Sequence, residues 1–294
     1  MAAGPRGVRK LGIVALFLLP SAVPLLLFTI APMVAAGWIS LHTWNLQSPM
    51  RWTGLDNYTR LLGDADTRDA LLHTLAFLGL YLPLVYLCGL ALAVALNRRF
   101  PGRSLLRSMY FLPVVTSWVV VALTWKWLLN PANGLVNHLL GTVGIEGPGW
   151  WASPTWAIPS TVIASVWKDA GFVMVILLAG LQSIPEEYLE AARLDGASAW
   201  QSFWKVTFPL LTPSSYFVVV ISLINGFQVF DQIYVMTGGG PAGASRPLVE
   251  EIYDLTFRYG DAGGASALSL LLFAVILAVT VVQQRLQKRW VHYV

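Results

Sequence analysis

The sequence predicts an all-α membrane protein of six spanning helices, and three observations predict it. Hydrophobic residues make up 56% of the 294 positions and charged residues only 12%, about half the charged share of a soluble domain. The charges are missing from runs of the length a bilayer demands, and lysine and arginine crowd into alternate segments between those runs. A soluble enzyme of this size requires a more polar surface, and a disordered chain requires far less apolar residue. Cys88 is the single cysteine, so no internal disulfide forms. His42, His73, His138 and His292 are the four histidines, and they share no spacing that gathers them on a metal.

A helix needs about 20 residues to cross about 30 Å of hydrocarbon. Residues 11–50, 70–97, 206–230 and 262–284 carry no charge. Leu106 to Trp127 keeps only Arg107 and Lys126, near its ends, where long side chains snorkel. Residues 156–184 are apolar apart from Lys168 and Asp169. The predicted spans are 12–38, 71–97, 106–127, 156–181, 213–235 and 264–284. Such runs are too long for barrel strands. The first also exceeds the apolar stretch of a signal peptide, and Pro20, Pro24 and Pro32 within it are tolerated in membrane helices.

Sidedness follows from the basic residues. With the N-terminus inside, the inner segments hold Arg6, Arg9, Lys10, Arg98, Arg99, Arg103, Arg107, Arg193, Lys205, Arg285, Lys288 and Arg289. The outer segments hold only Arg51, Arg60, Arg68, Arg246 and Arg258. Both termini are therefore expected in the cytoplasm. A nucleic-acid surface explains none of this alternation.

The outer loops, 39–70, 128–155 and 236–263, are too short for separate domains. The segment 130–134 reads as a turn, followed by a short interfacial helix over 135–140, and 237–241 is a second cluster of breakers. No G-x-x-x-x-G-K phosphate loop occurs, so any ATP is bound by another chain. The inner segment 183–209 predicts two short helices joined at Asp195-Gly196. Ser183 with Glu186, and Ser198 with Gln201, read as capping boxes, and Pro185 suits a first turn. Trp200, Phe203 and Trp204 give the second helix an aromatic face. Either this hairpin lies on the lipid surface, or it docks a partner whose backbone approaches Ala191, Ala192 and Gly196.

Here the residues resemble a known family. Glu190-Ala191-Ala192, three residues, Gly196, nine residues and Val206-Thr207-Phe208-Pro209 are similar to the E-A-A-x3-G-x9-I-x-L-P loop of binding-protein-dependent ABC importer permeases. Val206 and Phe208 replace Ile and Leu but stay apolar. "GLDNYTRLL" at 54–62, "NPANGLVN" at 130–137 and "FQVFDQIYVMTGGGP" at 227–241 resemble the carbohydrate uptake group, and within it the MalF-like or UgpA-like permease. Two departures are His73-Thr74, in place of Asn-Thr, and Asp261-Ala262-Gly263-Gly264 before span six. The resemblance implies one transmembrane domain over 1–294, with 183–209 as the EAA coupling loop. Glu190, Ala191, Ala192, Asp195 and Gly196 would meet an ATPase. It also implies a second homologous permease, two cytoplasmic ATPases that bind ATP and Mg, an extracytoplasmic solute-binding protein and a prokaryotic inner membrane around the complex. No cofactor, metal or catalytic residue is expected in this chain.

Amide and ionisable groups at membrane depth usually face a cavity or the bundle interior. Asn225, Gln228 and Asp231 are the candidate pathway residues. On a continuous helix each step of three is about −60°, so Asn225 and Gln228 are neighbours and Asp231 lies about 120° round. Lys168 and Asp169 are adjacent and cannot face each other; each is expected to find its own partner, structural or in the pathway. The expected function is permease of an ATP-driven importer for a sugar or polyol. The alternatives are a glycerol-phosphate importer of the same class and an ion-coupled secondary transporter.

Overall fold

The computed structural model describes residues 5–98 and 100–290. Arg99, counted above towards sidedness, and His292 lie outside the described residues. In chain order, helix α1 (Pro5–Leu25) runs through a π turn (Leu26–Ile30) into α2 (Ala31–Ile39). Strands β1 (His42–Thr43) and β2 (Arg51–Trp52) precede α3 (Asp56–Gly63), α4 (Ala65–Asn97), α5 (Arg103–Val115), α6 (Trp118–Leu128), α7 (Leu135–Thr142) and α8 (Ala157–Ser183). Then come α9 (Glu186–Leu194), α10 (Ala199–Ser202), a π turn (Phe203–Thr207), α11 (Phe208–Leu210), α12 (Thr212–Phe227), α13 (Asp231–Met236), α14 (Leu248–Phe257) and α15 (Ala262–Trp290). The protein is mostly α-helical. Among the described residues, four helices alone are long and apolar enough to cross a membrane, and the number rises to six when each of two bent pairs counts as one span.

The chain forms two compact units. One comprises Met1–Gly63 with Ile252–Leu271. Its π turn lets Ala31 N–H donate to the Leu26 carbonyl five residues back. That wider turn falls where Pro32 would press on the carbonyl four residues before it. The β1–β2 pairing sets His42 opposite Trp52, and the rings of Trp38, His42 and Trp52 cluster over it. From α3, the Asn57 amide donates to the Ser40 and His42 carbonyls at 2.8 and 2.9 Å. Asp261 accepts from Gly264 N–H at 2.8 Å and pairs with Arg60, while Ala262 N–H donates to the Trp44 carbonyl. A side chain at Gly263 would strike the His42 carbonyl. The unusual Asp261-Ala262-Gly263-Gly264 sequence therefore caps α15 and admits the hairpin backbone beside it.

The second unit comprises Asp64–Glu251 with Leu272–Val294. Its centre is α4 packed along α8, joined by α5 and α12. Asp64 caps α4 by accepting from Thr67 N–H at 3.0 Å. Phe77, Val85, Met174, Leu177 and Val218 are almost wholly buried at the contact. Membrane helices gain little by hiding apolar surface from lipid, so close backbone approach carries the packing. Small residues supply it. A Cβ at Gly89 would strike Val173, one at Gly171 the Tyr110 carbonyl, one at Gly180 Ser214 and one at Gly226 Leu78. The His73-Thr74 departure also has a role: His73 Nδ1 contacts the Arg246 carbonyl at 3.1 Å, and Thr74 Oγ1 accepts from Leu248 N–H at 2.9 Å, anchoring the start of α14.

Three sequence expectations are corrected. The run 106–127 is not one straight helix; α5 and α6 meet at 100° across Thr116-Ser117. Pro113 lacks an N–H in the last turn of α5, and Thr116 is extended. The run 213–235 is also broken, α12 ending at Phe227 and α13 starting at Asp231. The Ser183–Glu186 capping box does not form. The Ser183 hydroxyl donates to the Gly180 carbonyl at 2.8 Å in the last turn of α8, and Pro185 precedes α9 without a side-chain cap.

Candidate functional site

The break between α12 and α13 opens a cavity of about 230 Å³. Gln228 is the last turn-forming residue of α12, its N–H bonded to the Ile224 carbonyl at 3.1 Å; Val229 and Phe230 then leave the helix. Irregular backbone at membrane depth is tolerated where it lines a cavity. Asn225, Gln228 and Asp231 all line it, so the break gathers the three residues that a continuous helix would spread round its side. Asp169 joins them from α8, Phe77 and Tyr81 from α4, and Trp118 from α6. The Tyr81 hydroxyl donates to Asp169 Oδ2 at 2.8 Å. Phe77 and Tyr81 stack with centroids 5.4 Å apart, which fixes the tyrosine ring. The cavity therefore offers carboxylates, amides and aromatic faces. Sequence reasoning missed Tyr81 and Trp118. Tyr81 interrupts an apolar run with a hydroxyl, a local signal, but its partner is 88 residues away.

Lys168 and Asp169 part company, as adjacent helix residues must. Lys168 is not among the cavity's lining residues; it donates to the Val114 carbonyl at 2.9 Å, and its ammonium is 4.9 Å from the centre of the Trp118 ring, which does line it. It satisfies a carbonyl that the α5–α6 bend leaves without a helical donor. Lys126 likewise donates to a helix-terminal carbonyl, that of Val235 at the end of α13, at 3.1 Å, and lies 5.2 Å over the Trp151 ring. Neither lysine lines the cavity.

The second candidate site is the segment 183–209. Helix α9 ends in a Schellman motif: Ala197 N–H bonds to the Ala192 carbonyl at 2.9 Å and Gly196 N–H to that of Arg193 at 3.0 Å. Gly196 has φ +80°, a conformation other residues adopt only under strain. The next helix opens with a complete capping box, Gln201 N–H to Ser198 Oγ and Ser198 N–H to Gln201 Oε1. Both the turn at Gly196 and the start of the next helix are closed by local hydrogen bonds, and Phe203 and Phe208 pack against the core of the bundle. Glu190, Ala191, Asp195 and Gly196 are exposed on it, and Ala192 is half-buried. Leu194 is 89% exposed and Trp200 71%. The rings of Trp200, Phe203 and Phe208 each contact that of Trp204.

Residues 86–292 match the family described as "Binding-protein-dependent transport system inner membrane component". The chain is 38% identical over 273 residues to the trehalose/maltose transport system permease protein MalF of Thermococcus litoralis, covering 91% of this chain and 90% of that one. It is 34% identical to the probable ABC transporter permease protein YurN of Bacillus subtilis, covering 93% and 95%, and 32% identical to the sulfoquinovosyl glycerol transport system permease protein SmoG of Agrobacterium fabrum, covering 92% and 89%. A chain of a bacterial ABC transporter that imports the acidic polysaccharide alginate superposes with a TM-score of 0.84 at 25% identity, covering 97% of this chain and 98% of that one.

Proposed function

This chain belongs to the binding-protein-dependent transport system inner membrane components, and from that membership we propose that it is the MalF-like permease of an importer for a neutral sugar or related polyol. Its relatives are permease proteins, so it is a multi-pass transport subunit with no ATPase site of its own. It works with a second permease, two ATPase subunits that bind ATP and Mg, and an extracytoplasmic binding protein. All six spans cross the inner membrane, with both termini and the 183–209 loop in the cytoplasm. The loop seats in an ATPase, with Glu190, Ala191, Ala192, Asp195 and Gly196 at the contact. Closure of the ATPases on ATP moves α9, the rigid hairpin passes that motion to α8 and α12, and the cavity at the α12 break changes the side to which it opens.

One observation carries the choice of solute. The cavity holds Asp169 and Asp231 with Asn225, Gln228, Tyr81 and Trp118; Lys126 and Lys168 donate to backbone carbonyls and are not among its lining residues. Hydroxyl-rich neutral solutes use amides, carboxylates and aromatic faces. A phosphorylated solute would meet carboxylates and no cation, so the glycerol-phosphate reading is the weaker. Family membership removes the ground for the ion-coupled alternative. The test is ATP hydrolysis by the assembled complex in lipid, with its binding protein, across neutral sugars, polyols and glycerol-phosphate compounds. Stimulation by a neutral sugar is expected. Stimulation by glycerol-phosphate compounds alone would overturn the solute assignment, and no stimulation by any solute would overturn the importer reading.

A further inference from the structure

Two adjoining cavities lie where α4 ends and the α9–α11 segment begins. One, of about 350 Å³, is lined by Asn97, Arg98, Arg193, Ser202 and Thr207 among apolar neighbours. The other, of about 570 Å³, runs along α4 past Leu87, Ala91 and Ala95 and is walled by Phe203 and Trp204. Val94, Arg98 and Phe203 line both. An apolar trough therefore leads to an arginine and opens into a chamber that holds a second one among a few polar and several apolar residues. No carboxylate lines either cavity, and among the described residues neither arginine makes an ion pair.

Leu87, Ala91 and Ala95 recur every four residues, so they form one continuous face of α4. From Leu87 to Arg98 the helix rises about 16 Å, close to half of the roughly 30 Å hydrocarbon thickness. The trough is thus as long as one leaflet is deep, with Arg98 at its end. Trp204, half-exposed at the same end, suits the interface. A free anion would use the chamber and leave the trough empty; a molecule with a phosphate and an acyl chain uses both.

We propose that an anionic phospholipid occupies this site, its phosphate between Arg98 and Arg193 and one acyl chain along α4 under Phe203 and Trp204. The inference rests on the transport reading only in taking this end as the cytoplasmic leaflet, where anionic lipid draws basic residues. Arg193 and Phe203 both belong to the 183–209 segment, so the lipid would tie the coupling hairpin to α4.

Native mass spectrometry of the complex in mild detergent tests this, with phosphatidylglycerol or phosphatidylcholine added back. Phosphatidylglycerol should be retained at lower concentration than phosphatidylcholine. R98Q and R193Q should each weaken its retention about fivefold. Ala95→Trp, which fills the trough, should weaken both lipids alike. Equal retention of the two lipids, indifference to both arginine substitutions, or displacement by inorganic phosphate alone would each overturn the proposal. Solute-stimulated ATP hydrolysis is measured in parallel. Its absence would remove the import reading and leave lipid retention standing.

Discussion

A single bond between Tyr81 and Asp169 joins α4 to α8 at the cavity wall. Asp169→Asn keeps the acceptor and removes the charge, so it should leave the melting temperature nearly unchanged while altering the concentration of solute that half-saturates ATP hydrolysis. Gln228→Ala and Asn225→Ala should each raise that concentration about tenfold, the loss of one hydrogen bond of about 1.4 kcal/mol, without changing the maximal rate. Lys168 calls for a different measurement. Its ammonium is spent on the Val114 carbonyl at the helix bend. Lys168→Met should destabilise the complex by about 1–3 kcal/mol, read as a lower melting temperature, and should leave solute preference as it was. A change of preference towards anions would show that the lysine serves the pathway instead.

Interrupted helices illustrate what sequence patterns convey. Four uncharged runs announce themselves, because every residue of an isolated spanning helix must be apolar. The bends at Thr116-Ser117 and Leu211 and the break at Gln228–Phe230 do not, because apolar composition is the same in a straight and a broken span. Pro113 hints at the first, and the Asn225-Gly226 pair, a local turn signal, precedes the break at Gln228. The three candidate pathway residues were therefore legible as polar groups in an apolar run, while their convergence on one cavity was not. In the 183–209 segment the opposite holds. Its turn chemistry is local, so the joint at Gly196 and the Ser198–Gln201 box are readable from a few residues, and only Ser183 misleads, its hydroxyl bonding back into α8. Gly196→Val forces a β-branched residue to φ +80° at a cost of at least about 1–2 kcal/mol. It should abolish solute-stimulated hydrolysis while the chain still inserts; unchanged stimulation would sink the coupling role. Between α5 and α8, Gly171→Leu drives a side chain against the Tyr110 carbonyl. It should cost about 1–3 kcal/mol as overpacking, visible as a fall in melting temperature.

Across the molecule, sidedness is the property from which the other assignments hang. In a Cys88→Ser background, a cysteine at Leu194 should react with a membrane-impermeant thiol reagent only from the cytoplasmic face. One at Val143, 70% exposed beyond α7, should react only from outside. The reverse pattern would invert the whole topology, and with it the leaflet proposed for the lipid. The two lysine bonds carry a further consequence, one of timing. Lys168 reaches back 54 residues to an acceptor already synthesised, whereas Lys126 reaches forward 109 residues. At roughly 5–20 residues per second of translation, Lys126 waits roughly 5–20 s before Val235 has been made. The α5–α6 pair gains its first anchor when α8 arrives and its second only when α13 follows, so the nascent chain closes this part of the bundle in a fixed order.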